Sequence, residues 1–293
     1  MRGRFAPSPS GPLHLGSLLA ALGSWLDARS RGGQWLVRID DLDTPRASAA
    51  IAHGQLLSLT RCGLVPDEPV LWQSTRLPAY QAALERLAAA GLLYPCNCPR
   101  SRTAAGPYDG RCRQGVSGPG PYALRLRLPD QGGYAFTDGL QGPQAAPWSS
   151  LGDPVLQRRD GLFAYQLAVV VDDAHQQVTD VVRGADLLPA TGWQVAVQQA
   201  LGLATPRYAH LPLLQDADGT KLSKSRSAAA LDRLPPGQAL WRALHLLRQE
   251  PPQALAEAPV QALLDWGLAH WRRSVLQGVA SLADTTERAG APP

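Results

Sequence analysis

Apolar residues recur at helical spacing over residues 13–31, and this pattern predicts an amphipathic helix. The apolar positions of this helix are Leu15, Leu18, Leu19, Leu22, Trp25 and Leu26. A short strand is predicted at residues 2–6, and "QWLVRIDD", which follows Gly32 and Gly33, is typical of a buried strand ending in acids. Strand, loop, helix and strand in this order are typical of the opening of a parallel α/β sheet.

The pattern changes twice further along the chain. Helical periodicity continues over residues 46–62 and 76–91, but it disappears over residues 95–160, where Gly, Pro and Cys are dense. That change of character indicates an inserted module. A sheet pattern is predicted again at 161–171, and "VTDVVRGADLLPA" then leads into a helix near 191–202.

Composition and charge limit the classes of protein to which this chain can belong. The chain has 293 residues, of which 45% are hydrophobic and 18% charged, and these values exclude a disordered protein. A net charge of +4 permits a nucleic-acid partner without requiring one. No apolar stretch follows the N-terminal arginines, and the apolar run "FAYQLAVVV" is too short for a membrane span. We therefore expect a cytoplasmic protein with no membrane association, whose four cysteines favour a metal site over disulfides.

The segment "PSPSGPLHLGS" leads directly into the first helix. A loop at a helix N-terminus presents unpaired N–H groups and the positive end of the helix dipole, which together suit a phosphate. Gly11 and Gly16 allow close approach of the backbone, and His14 offers a donor. Taken alone, an ordinary helix cap with a histidine beneath it explains this segment equally well.

A second basic motif, "GTKLSKS", lies about 200 residues downstream. Lys221 and Lys224 stand among small residues, so they predict a mobile clamp for an anion. Taken alone, a solvated basic loop is the safer interpretation. The two segments occurring together on one α/β pattern favour the anion-binding interpretation of both.

"HLGS" and "KLSKS" resemble the HIGH and KMSKS signatures of class I aminoacyl-tRNA synthetases, and "RFAPSPSGPLHLGS", "WLVRIDDLDTPR" and "VRGADLL" resemble the glutamyl branch. The resemblance implies an α/β fold with a Rossmann-type catalytic core that activates glutamate with ATP. The ATP-binding residues that it implies are His14, Gly16, Ser17 and Lys224. It also implies catalytic roles for His14, Lys221 and Lys224, and Mg²⁺ that arrives with ATP.

The same resemblance implies a glutamate pocket. Arg4 and Arg183 match arginines that bind substrate, and guanidinium groups suit carboxylates because they bind them bidentately. The other members implied for this pocket are Phe5, Ala6, Pro7, Ser8, Asp40 and Tyr165. Asp40 stands where the family usually has Glu, so its reach is shorter by about 1.5 Å and a water or a small shift must close the gap. A structural salt bridge with Asp186 is the alternative for Arg183.

A cysteine cluster predicts a zinc site in the insert. Cys96, Cys98 and Cys112 offer three thiolates, which suit tetrahedral zinc better than a disulfide between neighbours. From the residues alone, water is the expected fourth ligand, whereas the resemblance implies Tyr108. We expect a structural site that stabilises the loop-rich insert. Cys62 lies on an apolar helical face and is interpreted as core.

The sequence differs from glutamyl-tRNA synthetases in two respects, which point to a more specific group of relatives. Ser17 replaces their second signature histidine, and residues 235–293 are shorter than the ~100 residues of a typical further domain. This pattern resembles the glutamyl-Q tRNA(Asp) synthetases, which implies glutamate activation without tRNA and transfer to queuosine at the wobble position of tRNA(Asp). The expected partners are ATP, L-glutamate and that anticodon loop. The alternatives are a minimal glutamyl-tRNA synthetase that charges an acceptor end and a non-catalytic RNA-binding or amino-acid-sensing relative.

We therefore expect a monomer in four parts. Residues 1–94 and 161–234 form the two halves of the core, and the second half carries the KLSKS loop. Residues 95–160 form the zinc-bearing insert, and residues 235–293 form a short helical region with a disordered tail. The tryptophans of this last region are expected to be core residues at helical spacing rather than RNA contacts; they are Trp241, Trp266 and Trp271.

Overall fold

The computed structural model describes residues 1–43, 47–99, 106–116, 118–215 and 231–283. The predicted lysine loop and the predicted disordered tail lie outside the described residues.

Eight α-helices occur in the described ranges. They are α1 (Leu15–Arg29), α2 (Ala49–Arg61), α3 (Leu77–Ala89), α4 (Trp148–Leu151), α5 (Tyr165–His175), α6 (Leu188–Leu201), α7 (Pro236–Leu246) and α8 (Val260–His270). The strands are β1 (Arg2–Phe5), β2 (Gln34–Ile39), β3 (Leu71–Trp72), β4 (Leu93–Cys96), β5 (Ala123–Leu126), β6 (Gly133–Asp138), β7 (Gly142–Pro147), β8 (Val155–Gln157), β9 (Asp180–Gly184), β10 (Arg207–Leu211), β11 (Leu213–Gln215) and β12 (Ser281–Ala283).

Parallel strands form the layer that carries the site. β1 pairs with β2, β2 pairs with β3, and β9 pairs with β10, all in parallel. The Thr179 amide donates to the Arg2 carbonyl (3.0 Å) and so joins the start of β9 to β1. Helix α1 connects β1 to β2, which confirms the predicted opening unit. The carboxyl ends of β1, β2 and β9 therefore face one region, where parallel α/β proteins bind their ligands.

The sheet pattern predicted at 161–171 is wrong. The structure has helix α5 there, and its apolar residues Leu167, Ala168, Val169 and Val170 are all buried. A continuous apolar run that is buried on all sides has no clear period, so periodicity alone does not separate a helix from a strand. The helical course places Asp172 and Asp173 on the inner side of α5, where both are buried.

The insert is antiparallel. Its sheet has the order β4–β5–β8, and β6 and β7 form a separate hairpin in which Asp138 pairs with Gly142. This hairpin lies against β10, because the Gly139 amide donates to the Tyr208 carbonyl (2.8 Å) and the rings of Phe136 and Tyr208 are 5.5 Å apart. One end of the insert therefore reaches the parallel layer.

Helices α7 and α8 pack on α1 and complete the main core. Leu240 and Leu263 are fully buried and belong to the same apolar cluster as Leu18 and Leu22 of α1. The three tryptophans of this region are partly buried and pack against that cluster, as predicted. Cys62 lies in the same cluster, which confirms its assignment to the core. Across the part of the chain that the structure describes, every helix is too short or too polar to span a bilayer.

Candidate functional site

The first part of the site is the start of helix α1. His14 is the N-cap, and the Ser17 amide donates to its Nδ1 atom (3.3 Å). A Cβ atom on Gly16 would lie 3.1 Å from two atoms of the His14 ring, so glycine allows the ring to lie across this turn. The structure therefore brings His14, Gly16 and Ser17 together at a helix N-terminus, where amide groups and the dipole favour an anion.

The loop after β1 is held against the end of β2. The Asp40 amide donates to the Pro7 carbonyl (3.0 Å), and the Gln55 side chain donates to the carbonyls of Ser8 (3.1 Å) and Gly11 (2.7 Å). These bonds fix the backbone of the predicted pocket segment, residues 5–8, beside Asp40. A pocket lined by the backbone of a loop needs such bonds from other segments, because the loop has no strand partner to satisfy its backbone groups.

Arg4, Arg38, Asp40 and Asp173 form a buried network, here called the arginine–aspartate network. Arg4 donates to both Asp173 oxygens through Nε and Nη2, each at 3.2 Å. Arg38 donates from Nη1 to Asp173 (2.6 Å) and from Nε to Asp40 (2.7 Å). Burial alone raises the pKa of the Asp173 carboxyl, but Arg4 and Arg38 outweigh it and hold that pKa below its usual value. For Asp40 burial dominates, and its pKa is raised despite Arg38.

The position of Asp40 bears on its predicted contact with the substrate ammonium. Its side chain is 6% exposed, and one oxygen is bonded to Arg38. The carboxylate is thus anchored inside the network by a charge-assisted bond. Contact between Asp40 and the ammonium remains a prediction.

Arg183 is the penultimate residue of β9, and its guanidinium group is only partly satisfied. Its Nε donates to Nε2 of His210 (3.0 Å) and its Nη2 donates to Thr191 Oγ1 (2.7 Å). Its Nη1 atom is buried without a hydrogen-bond partner among the described residues. A buried donor of this kind costs free energy unless a ligand completes it, and a carboxylate is the natural complement of guanidinium. The charges of Arg4 and Arg183 both depress the pKa of His210, so the two arginines share one neighbourhood.

The other residues predicted for the site are a tyrosine and two lysines. Tyr165 is the first residue of α5 and is partly buried against an apolar cluster that includes Tyr80 and Leu167. Lys221 and Lys224 lie outside the described residues.

The three predicted cysteines converge in the insert. Their Sγ atoms all lie within 4.8 Å of one another, and Cys98 and Cys112 are 3.6 Å apart. The Tyr108 hydroxyl lies 3.4 Å from Cys96 Sγ and 3.7 Å from Cys98 Sγ. Two sulfurs bound to tetrahedral zinc at about 2.3 Å are themselves about 3.8 Å apart, a separation close to the 3.6 Å between Cys98 and Cys112, so the cysteine cluster is compatible with zinc.

Neighbouring backbone and charge hold this cluster in place. Gly152 bridges to Tyr108, and a Cβ atom on it would lie 2.3 Å from the Tyr108 nitrogen, so glycine is required for this close approach. The Arg125 guanidinium lies 3.8 Å from the Tyr108 ring centroid. Burial raises the pKa of the Cys96 thiol, but bonds from Tyr108 and from the Cys98 amide, with Arg125, bring it down to about 7. The pKa of the neighbouring Cys98 thiol is raised instead, by burial first and by Cys112 and Cys96 as well, so Cys96 is the thiol that ionises more readily of the two.

The sequence analysis missed the side chains that support the arginines. Asp173, which also binds Arg38, holds Arg4, while His210 and Thr191 hold Arg183. One signal was present: a buried arginine requires a counter-charge, and the acid pair in "VVVDD" lies within the segment already assigned to the pocket. No comparable signal marks His210, whose partners lie far away along the chain.

Comparisons with known proteins identify the family of this chain. The family described as "tRNA synthetases class I (E and Q), catalytic domain" matches residues 1–106 and 107–234. A glutamate tRNA ligase from Elizabethkingia meningosepticum CCUG26117, whose crystal structure contains its amino acid, superposes with a TM-score of 0.79 at 26% identity. That match covers 99% of this chain and 68% of the ligase. The class I synthetase α/β fold is therefore established, and the chain is an enzyme of the ligase type.

Curated relatives are closer in sequence. The glutamyl-Q tRNA(Asp) synthetase of Aromatoleum aromaticum is 50% identical over 278 residues, which are 92% of this chain and 88% of that protein. The enzyme of the same name from Xanthomonas campestris pv. campestris strain 8004 is 51% identical over 99% of this chain and 98% of its own length. The chain therefore belongs to the class I tRNA synthetase (E and Q) family and, within it, to the glutamyl-Q tRNA(Asp) synthetases.

Proposed function

We propose that this chain activates L-glutamate with ATP, without tRNA, and transfers the glutamyl group to the queuosine base at the wobble position of tRNA(Asp). The observation that carries the proposal is the 50% and 51% identity, over nearly the whole chain, to relatives named for this activity. The unpartnered Nη1 of Arg183 supports a carboxylate substrate such as glutamate.

Activation forms one bond and breaks one. A carboxylate oxygen of glutamate attacks the α-phosphorus of ATP, pyrophosphate leaves, and glutamyl adenylate results. The substrate is its own nucleophile, so the protein needs neither a nucleophilic side chain nor a strong base. Its task is to align the two substrates and to neutralise the charge that collects on the leaving pyrophosphate.

Arg183 and Arg4 are proposed to recognise the two carboxylates of glutamate. Arg183 has a buried donor to offer, whereas Arg4 is bonded to Asp173, and those two bonds use two of its five N–H groups. The backbone of Phe5, Ala6, Pro7 and Ser8 and the side chains of Asp40 and Tyr165 complete the proposed pocket. Asp40 supplies negative charge for the substrate ammonium.

The start of helix α1 is proposed to hold ATP through His14, Gly16 and Ser17. Lys224, with help from Lys221, is proposed to neutralise the triphosphate, and Mg²⁺ that arrives with ATP would add positive charge there. If Lys224 has this role, Lys224→Ala should abolish adenylate formation and leave the zinc content unchanged. A variant that forms adenylate at the parent rate would remove Lys224 from the mechanism.

We also propose a structural zinc ion in the insert. Cys96, Cys98, Cys112 and Tyr108 would hold it, since their separations fit a tetrahedral ion. Zinc supplies positive charge that stabilises the ionised ligands and links β4 to the loop before β5. The predicted boundaries of the insert, 95–160, and of the other three parts are retained in this proposal.

Transfer requires an acceptor hydroxyl near the adenylate. A hydroxyl of the queuosine cyclopentene ring attacks the carbonyl carbon of the adenylate, AMP leaves, and an ester forms. The anticodon loop must then enter the open carboxyl end of the parallel layer. We propose that a monomer does this in the cytoplasm, where charged and modified tRNA is used.

Pyrophosphate exchange tests the activation step directly. The chain should exchange labelled pyrophosphate into ATP when glutamate is added and tRNA is absent. Arg183→Lys keeps the charge but not the planar fork, so it should raise the KM for glutamate and leave the KM for ATP unchanged. Absence of exchange with glutamate would refute the proposed activity.

A further inference from the structure

Arg183 is held by a chain of hydrogen bonds that begins in the insert and runs from Asp138 through His210, here called the relay. Asp138 ends strand β6, and its Oδ2 lies 2.5 Å from Nδ1 of His210. His210 Nε2 in turn accepts from Arg183 Nε (3.0 Å). Asp138 and His210 are 2% and 0% exposed, so water does not compete for these bonds.

The geometry fixes which nitrogen of His210 carries the proton. Arg183 Nε is always a donor, so His210 Nε2 must be an acceptor with a free lone pair. Nδ1 must then carry the hydrogen and donate it to Asp138. The ring is neutral in this arrangement, because an imidazolium would place a second donor against Arg183.

Asp138 is itself locked in one orientation. Its Oδ1 atom accepts from the backbone amides of Leu140 (3.0 Å), Gln141 (2.9 Å) and His210 (3.0 Å). Three amide donors on one oxygen leave Oδ2 as the atom that faces the imidazole. The carboxylate cannot exchange its two oxygens without breaking all three bonds.

We propose that Asp138 and His210 are positioning residues for glutamate binding, which set the His210 tautomer and thereby hold Arg183 with its Nη1 directed to a substrate carboxylate. The proposal rests on the proposed function, because it needs Arg183 to bind glutamate. Neither Asp138 nor His210 needs to touch the substrate. The insert therefore contributes to amino-acid recognition through the β6–β7 hairpin, at a point separate from the cysteine cluster.

Charged groups from each packed element act on His210. Asp138 faces it from β6, Arg183 from β9, Arg4 from β1, and the Tyr208 ring stacks beside it on β10. Burial lowers the pKa of His210, and Arg183 and Arg4 lower it further, against the opposing effect of Asp138. The neutral ring therefore persists at neutral pH, and acid conditions should weaken glutamate binding by protonating it.

Asp138→Asn is the variant that tests this proposal most directly. The three amides keep the Asn oxygen in the Oδ1 position, so the new NH₂ group faces His210 Nδ1. The ring must then accept at Nδ1 and carry its hydrogen on Nε2, directly against the Arg183 donor. We expect the KM for glutamate in pyrophosphate exchange to rise about tenfold or more, as for a buried donor left without an acceptor. The KM for ATP should stay at the parent value.

Asp153→Asn is the matched control. Asp153 is also a 2% exposed carboxylate of the insert that accepts from a backbone amide, that of Leu128 at 2.9 Å. It supports the insert but lies outside the relay, so its substitution should lower stability without raising the KM for glutamate. If both variants raise the KM for glutamate equally, the effect comes from a general loss of stability in the insert and the proposal is wrong.

The outcomes separate this inference from the proposed function. No glutamate-dependent exchange by the parent chain would refute the function itself. An increase in KM with Arg183→Lys but none with Asp138→Asn would overturn the relay alone. If Asp138→Asn does not fold, the ¹⁵N spectrum of the parent protein decides: a neutral His210 protonated at Nδ1 supports the relay, and protonation at Nε2 or at both nitrogens contradicts it.

Discussion

Replacing Asp173 by asparagine removes the carboxylate that joins Arg4 to Arg38. Asp173 is 6% exposed, and its partners are 3% and 0% exposed. The substitution keeps the shape but leaves two buried guanidinium groups with one carboxylate fewer, and it turns an NH₂ group toward one of them. Breaking a buried ion pair in this way costs about 3–5 kcal/mol, out of a total stability of about 5–15 kcal/mol.

Urea denaturation followed by circular dichroism measures this loss. Asp173→Asn should lower the free energy of unfolding by about 3–5 kcal/mol at pH 7. The matched control is Asp160→Asn, because Asp160 also bonds an arginine, Arg158, at 2.6 Å, but its side chain is 50% exposed. Water replaces that bond, so the control should denature at the parent urea concentration.

The pH dependence gives a second test of the same reasoning. The Asp173 pKa is lower in the folded chain than in the unfolded chain, so its stabilisation is present above the ordinary carboxyl pKa of about 3.9 and is lost as the pH falls through the folded value. The difference between parent and Asp173→Asn should therefore shrink in acid. A loss below about 1 kcal/mol at pH 7, the value typical of an exposed pair, would refute the reasoning.

Three further predictions concern other parts of the chain. Gly16→Ala places a methyl group 3.1 Å from the His14 ring, so it should raise the KM for ATP in pyrophosphate exchange and leave the melting temperature nearly unchanged; an unchanged KM would argue against this helix start as the ATP site. Burial raises the pKa of the Cys62 thiol to about 11, so iodoacetamide at pH 8 should label it only after denaturation, and rapid labelling of the native chain would contradict its place in the core. Cys112→Ser should release the proposed zinc, which atomic absorption would detect as less than one ion per chain and melting curves as lower stability; full zinc retention would remove Cys112 from the ligand set.

Local patterns predicted much of the fold. The strand–loop–helix–strand opening follows from apolar periodicity and from the stop at Gly32 and Gly33. The helices at 49–61 and 77–89 follow from periodicity because they bury one face and expose the other. The helix at 165–175 does not follow, because its apolar residues are buried on every side. The three clustered cysteines and Tyr108 lie close together in sequence, so their meeting in space depends on few long-range contacts.

The support of the proposed glutamate pocket depends on contacts between residues far apart in the chain, which a single sequence does not reveal. Asp173 is 169 residues from Arg4, and Asp138 is 72 residues from His210. The residues predicted to touch substrate were recognised by resemblance, whereas those that orient them appear only when helix α5 and the β6–β7 hairpin are placed. Motifs mark the groups proposed to bind the ligand, and the fold supplies their counter-charges.

Transfer of labelled glutamate is the most direct test of the central claim. Purified chain, ATP and [¹⁴C]glutamate are incubated with tRNA(Asp) that contains queuosine, with tRNA(Asp) that lacks it, and with tRNA(Glu). The proposed function predicts label on queuosine-containing tRNA(Asp) alone, and a nuclease digest should place that label in the anticodon fragment. Label on tRNA(Glu), or equal label on both forms of tRNA(Asp), would contradict it.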